Sequence, residues 1–324
     1  RYPIDLTLGH GCNPSHLNQL TGLSLELELD ALRWAVNRQP ERAADSIEAQ
    51  YAMARSLSNE PMMFSQFVRF RIMNGATDSI ERLLNRSTPD AVTLERLQRL
   101  CESALPGTES GMATDVAVIG ETVMWHVAAS NGINIDYSGR LAPISAGALT
   151  LSWQLFYPYA GTATAIELES AEAMRMESQN WPAALRRQQL EYESAYRSSR
   201  YFLANPVSRY NQSDYGPEWF ARVRLALARL ALAVERYRLV TGELPLTLDT
   251  LVPEYLSAIP VDVCALTPGS PLRYVLRETG EYWAYSIGFD PADRGGLYTS
   301  SWRGDIAFRV APIEFRTGPQ VSEN

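Results

Sequence analysis

The strongest constraint on this chain is a change of hydrophobic period within its last third. From Pro217 onward, Phe220, Val223, Leu227, Leu230, Val234 and Tyr237 recur at alternating steps of three and four residues. That spacing is the a/d seam of an amphipathic helix. Thr241-Gly242 stops the helix and Pro245 prevents its continuation. A short helix is expected from Leu248 to Tyr255, before Ile259-Pro260. The period then falls to two: Leu272, Tyr274 and Leu276 alternate with Arg273, Val275 and Arg277. After a Thr279-Gly280 turn, the aromatic-rich run Tyr282–Ile287 reads as the second arm of a hairpin, and Ile306–Val310 as a third strand. So small a sheet requires a cover, which the helix seam supplies. Arg222, Arg229 and Arg236 lie seven apart on another face, where solvation is expected.

Upstream the pattern is helical. Asn13-Pro14 marks a helix entry. Leu17, Leu20, Leu27 and Trp34 then follow helical spacing, with Leu25, Leu29, Leu32 and Val36 as a second apolar stripe. A helix apolar on two sides is expected at the centre of a bundle. Pro40 opens a second helix with Ala44, Ile47, Tyr51, Ala54 and Leu57 on one face. A third runs from about Pro61 through Phe64, Phe67, Phe70, Met73, Ile80 and Leu84. Ser87-Thr88-Pro89 is expected to cap a fourth, with Leu94, Leu97, Leu100 and Cys101 inward. Further helices are expected at Met112–Val127, Ala163–Gln179 and Trp181–Leu203. The stretch from Asn205-Pro206 to Gly216 is the clearest linker. No fixed tetratricopeptide-type repeat signature is present. The fold class expected is mainly α with a small α+β part: an irregular helical bundle or hairpin array over residues 1–210, then a helix plus antiparallel sheet over 217–316.

Composition narrows function by exclusion. A formal charge of −8 over 324 residues argues against sequence-independent nucleic-acid binding and against a polybasic membrane patch. All 29 basic residues are arginine, so lysine-dependent Schiff-base, P-loop and kinase chemistry is excluded. Cys12, Cys101 and Cys264 show no metal or redox spacing. The chain opens at Arg1 rather than Met, so a removed signal or membrane anchor upstream is expected.

The string AVERYRLVTGELPLTLDTLVPEYLSAIPVD, followed by PLRYVLRETGEYWAYSIGFDPADRGG, resembles the helix end, loop and hairpin of the major pseudopilin of type II secretion. The chain is also similar, along its whole length, to planctomycete-type envelope proteins that carry this unit after a helical region. These resemblances imply a pseudopilin-like fold unit and an extracytoplasmic setting in the periplasm or cell envelope. In major pseudopilins the loop after the hairpin holds calcium. Asp290 matches the first aspartate of that pattern, with Ser286 and Gly288 beside it, and Asp293 or Asp305 could supply the second acid. Pro291 and Arg294 depart from the pattern. A pseudopilin also carries its assembly helix at the extreme N-terminus. Here residues 1–216 precede a helix bearing Arg222, Arg224 and Arg229, which removes the filament-core role.

No GxSxG, HExxH, GxGxxG or Walker pattern is present. His10, Cys12 and His16 read either as a metal-ligand cluster or as a polar loop before a helix, with no fourth ligand indicated. His126 reads as a core histidine, and Tyr192 to Tyr210 with Arg197, Arg200 and Arg209 as a stacked face. The sequence therefore leads to a non-enzymatic interaction or scaffold protein with a protein partner. The alternative is an enzyme or small-ligand binder whose site is assembled from distant residues.

Overall fold

The computed structural model describes residues 15–60, 63–104 and 216–316, apart from 266, 268, 289–291 and 298–303. Four helices come first: α1 (Ser15–Val36), α2 (Pro40–Ser56), α3 (Met63–Arg86) and α4 (Ala91–Ala104). After the undescribed stretch comes α5 (Gly216–Thr241). A 3-10 turn (Leu248–Leu251), strands β1 (Arg273–Leu276), β2 (Tyr282–Ser286) and β3 (Ile306–Val310), and α6 (Ile313–Arg316) complete the described residues. The described residues are thus mostly helical, with a small antiparallel sheet of order β1-β2-β3. The helices expected at Met112–Val127, Ala163–Gln179 and Trp181–Leu203, and the linker after them, lie outside the described residues.

The short connections fold α1, α2 and α3 back on one another as a three-helix layer. Pro40 opens α2 where its missing N–H costs nothing. The cap of α4 is not Ser87-Thr88. Asp90 accepts the Thr93 N–H at 2.8 Å, while the Ser87 hydroxyl bonds back to the Leu83 carbonyl. An N-cap must sit immediately before the first turn, and the serine and threonine lie too far upstream.

The hairpin register pairs Tyr274 with Ala284, and Ala284 with Phe308 on the far side. Gly280 (φ 79°) makes the turn, with its N–H bonded to the Arg277 carbonyl. On the outer face Arg277 and Arg309 lie 4.1 and 4.3 Å from the Trp283 ring centroid. The helix expected over Leu248–Tyr255 is shortened to a single 3-10 turn ending at Leu251, followed by an extended Val252 and then Pro253.

α5 is the axis of the core. Its seam residues Val223, Leu227, Leu230 and Val234 are buried, as expected, but so are Leu225, Ala228, Ala231, Leu232 and Ala233. It packs on β2 and β3 with one side and on α3 and α4 with another, and one hydrophobic cluster runs through all of them. Its arginines depart from the solvated face expected for them. Arg229 pairs with Glu102 on α4, Arg236 donates to the Gln98 amide oxygen, and Arg222 pairs with Glu218. α1 departs in the opposite sense. Its second apolar stripe faces outward, with Leu25, Leu29 and Val36 at 46%, 67% and 58% exposure.

Candidate functional site

Three polar constellations and one apolar face have the geometry to carry function or to fix its scaffold. The first is the centre where α5 meets the C-terminal segment. Glu235 and Arg316 are both buried; Arg316 donates to the two Glu235 oxygens at 2.9 and 3.1 Å and to the Ala311 carbonyl. The Tyr282 hydroxyl donates to Glu235 at 2.8 Å, and Arg238 closes the network from the adjacent turn. Burial, then the charge of Glu235, pushes the Tyr282 phenol well above its ordinary range. A carboxylate saturated by four donors is a structural lock and leaves no lone pair aimed at a substrate.

The second is the sheet edge. The N–H of Arg309 and the N–H of Ala311 on the outer side of β3 are received by Glu81 and the Asn85 amide oxygen of α3. Asn85 in turn donates to the Arg309 carbonyl. Arg224 reaches the same place, pairing with Asp78 and Glu81 and donating to the Ala307 carbonyl at 2.8 Å. An edge strand left bare would template pairing with another chain, and here helix side chains occupy its polar groups.

The third is the loop proposed from sequence for calcium. Asp305 lies fully buried at the start of β3. Its Oδ2 accepts the N–H groups of Arg294 (2.8 Å) and Gly296 (2.7 Å), while its Oδ1 is buried without a hydrogen-bond partner. Asp293 accepts the Gly295 N–H at 2.9 Å and pairs with Arg273 at 3.3 Å. Asp290 lies outside the described residues. Gly288 is required on steric grounds, because a Cβ there would sit 2.1 Å from the Gly304 carbonyl oxygen. Ser286, expected beside the ion, instead donates to Asp262 at 2.7 Å and accepts the Gly288 N–H. Asp262 was not singled out by sequence, since nothing periodic marks it. It is buried and also receives the N–H groups of Cys264 and Ile287. Burial raises its carboxyl pKa, against the pull of those donors. The structure thus brings Asp293 and Asp305 into one loop. The orphan Asp305 oxygen is what a hard cation would take. Among the described residues no three His, Cys, Asp or Glu side chains gather as a metal site.

The remaining sequence candidates are dispersed. His16 Nε2 lies 3.1 Å from Glu60, a buried carboxylate at the end of the α2–α3 connection. His10, Cys12, His126 and the Tyr192–Tyr210 cluster lie outside the described residues. Cys101 and Cys264 are free and buried, and burial pushes the Cys101 thiol up to about 12. Such thiols are unreactive at neutral pH. No helix among the described residues is long and apolar enough to cross a membrane.

The apolar face is the outer stripe of α1: Leu25, Leu29 and Val36 exposed, Leu32 half-buried. Four-three-four spacing puts these side chains on one line along the helix. Glu26 and Arg33, seven apart, lie together on one flank of that line. No family model matches the chain, and neither a curated protein nor a solved structure matches it.

Proposed function

We propose that this is a non-enzymatic scaffold protein of the bacterial cell envelope that assembles through the outer face of α1. The supporting observation is the contiguous stripe Leu25, Leu29, Leu32 and Val36 left facing outward on a helix whose other side is packed. Contiguous exposed apolar surface marks contact sites. The envelope setting rests on the sequence likeness of the C-terminal region to pseudopilins. The occupant the charges fit is a second copy of the chain, paired antiparallel about a two-fold axis. Such an axis sets Leu29 against Leu32 and Leu25 against Val36, and brings Glu26 near Arg33 of the second copy. One helix pair is a small interface, so the association is reversible.

Sedimentation velocity over a concentration series tests this reading. The expected result is a monomer–dimer equilibrium that Leu29→Glu abolishes. Glu26→Arg or Arg33→Glu alone weakens it, and the double reversal restores it. A wild-type chain that stays monomeric throughout, or a dimer indifferent to all these changes, overturns it. The calcium assignment belongs to the same proposal: Asp305 Oδ1, Asp293 and Asp290 would supply carboxylate oxygens to the ion. Its test is a thermal melt with calcium and with chelator. A rise with calcium that Asp305→Asn removes supports it, and coincident melts retire it.

A further inference from the structure

A cleft of ≈630 Å³ opens where the end of α1, the start of α2 and the α3–α4 junction meet. Four arginines line it, of which Arg38, Arg42 and Arg86 carry the argument. Among the described residues none of these three makes an ion pair, although the chain carries more acids than bases. We propose that this cleft binds the phosphoryl oxyanion of a phosphorylated small molecule. The proposal is independent of the α1 stripe.

The argument begins with Arg38. Among the described residues it is the non-glycine residue with positive φ, at 58°. Its N–H bonds the Ala35 carbonyl and the next N–H, of Gln39, bonds the Trp34 carbonyl. These are the two bonds of a Schellman cap, and Arg38 stands where glycine is the ordinary choice. An L side chain in the left-handed region is strained, and such strain is found where a function holds it. Here it places a guanidinium at the cleft beside the first turn of α2.

The other two cations are held differently. The Arg42 guanidinium stacks 4.6 Å from the Trp34 ring centroid, which restricts its rotamers. Arg86 ends α3. Arg316 also lines the cleft, but its charge is already met by Glu235. Two carboxylates oppose them: Glu41, and Asp90, one of whose oxygens is held by the Thr93 N–H. Three unpaired guanidiniums exceed two acids, and the α2 dipole adds to the positive side. Arginine forks match tetrahedral oxyanions bidentately. The volume is that of a site for a small organic molecule and far exceeds a lone ion.

Titration calorimetry of the full chain at low salt tests the assignment, with glucose 6-phosphate and inorganic phosphate as probes. One saturable site is expected for either probe. Arg42→Gln and Arg86→Gln should each weaken it about tenfold, the loss of one charged hydrogen bond. Arg38→Gly should weaken binding by a similar factor yet raise the melting temperature by about 2 °C, because it relieves the left-handed strain. A purely structural arginine would move both readouts in the same direction. No saturable heat with either probe, or affinities that both glutamine variants leave unchanged, overturns the proposal.

Discussion

α1 and α5 look alike in sequence and have opposite fates. Each is long, rich in Leu and Ala, and apolar on more than one face. Two-sided patterning places α1 at the centre of a bundle, and a single seam flanked by arginines gives α5 one wet side. In the structure α5 is the helix enclosed on nearly all sides, and α1 keeps one stripe outside. The difference lies in what the arginines meet. Those of α5 find Glu102, Gln98, Asp78 and Glu81 on neighbouring helices, so a charged helix is buried without unpaired charge. The one arginine of α1, Arg33, lies over the Trp34 ring, as does Arg42 of α2. Polar partners across space, more than apolar count, decide which helix is central.

The sharpest way to break this contrast is at Glu235. Glu235→Ala leaves the buried Arg316 and the half-buried Arg238 without their carboxylate, and a cost of about 4 kcal/mol is expected in urea unfolding. A loss below about 1 kcal/mol would mean that water reaches the network. Next in size is the core of α5 itself. Leu230→Ala should cost about 3 kcal/mol, because the site is fully enclosed. Leu29→Ala on α1 should stay within about 0.5 kcal/mol.

Asn85→Ala tests the seam between the helical layer and the sheet. It strips the Arg309 carbonyl and the Ala311 N–H of their partners, and about 2 kcal/mol is expected. The variant should also aggregate faster, since the edge of β3 is opened. The smallest effect concerns the α4 cap. Asp90→Ala should cost about 1 kcal/mol at neutral pH. The Thr93 N–H, and then its hydroxyl, hold the Asp90 carboxyl below its usual value. A depressed carboxylate contributes its stability above the unfolded value of about 3.9 and loses it as pH falls through the folded one. The wild-type advantage should therefore fade in acid, and a difference that persists there would assign the effect to something other than the charge.

Much of the fold was readable from local pattern. The α5 seam, the Thr279-Gly280 turn and the three strands follow from period and turn chemistry, and β3 matches its expected bounds. These signals lie within a few residues of one another. The rest depends on pairings across long separations that carry no period. Glu81 and Asn85 receive β3 from more than two hundred residues away, and Asp262 holds the end of β2 through Ser286. The calcium candidates show the same limit. The pseudopilin resemblance pointed to Asp290 with Asp293 or Asp305, but not to the fact that the Asp293 carboxylate already faces Arg273. The arginine cleft was invisible for a further reason: its parts come from three helix ends, and its clearest mark is a backbone angle.

The exchange of roles between α1 and α5 is tested most directly by the urea midpoint of Leu29→Glu, measured where the protein sediments as a monomer. A charge on a free surface leaves the fold untouched, so the midpoint should coincide with that of the wild type. A fall comparable to that of Leu230→Ala would show that the α1 stripe is packed within the chain, and would contradict the account.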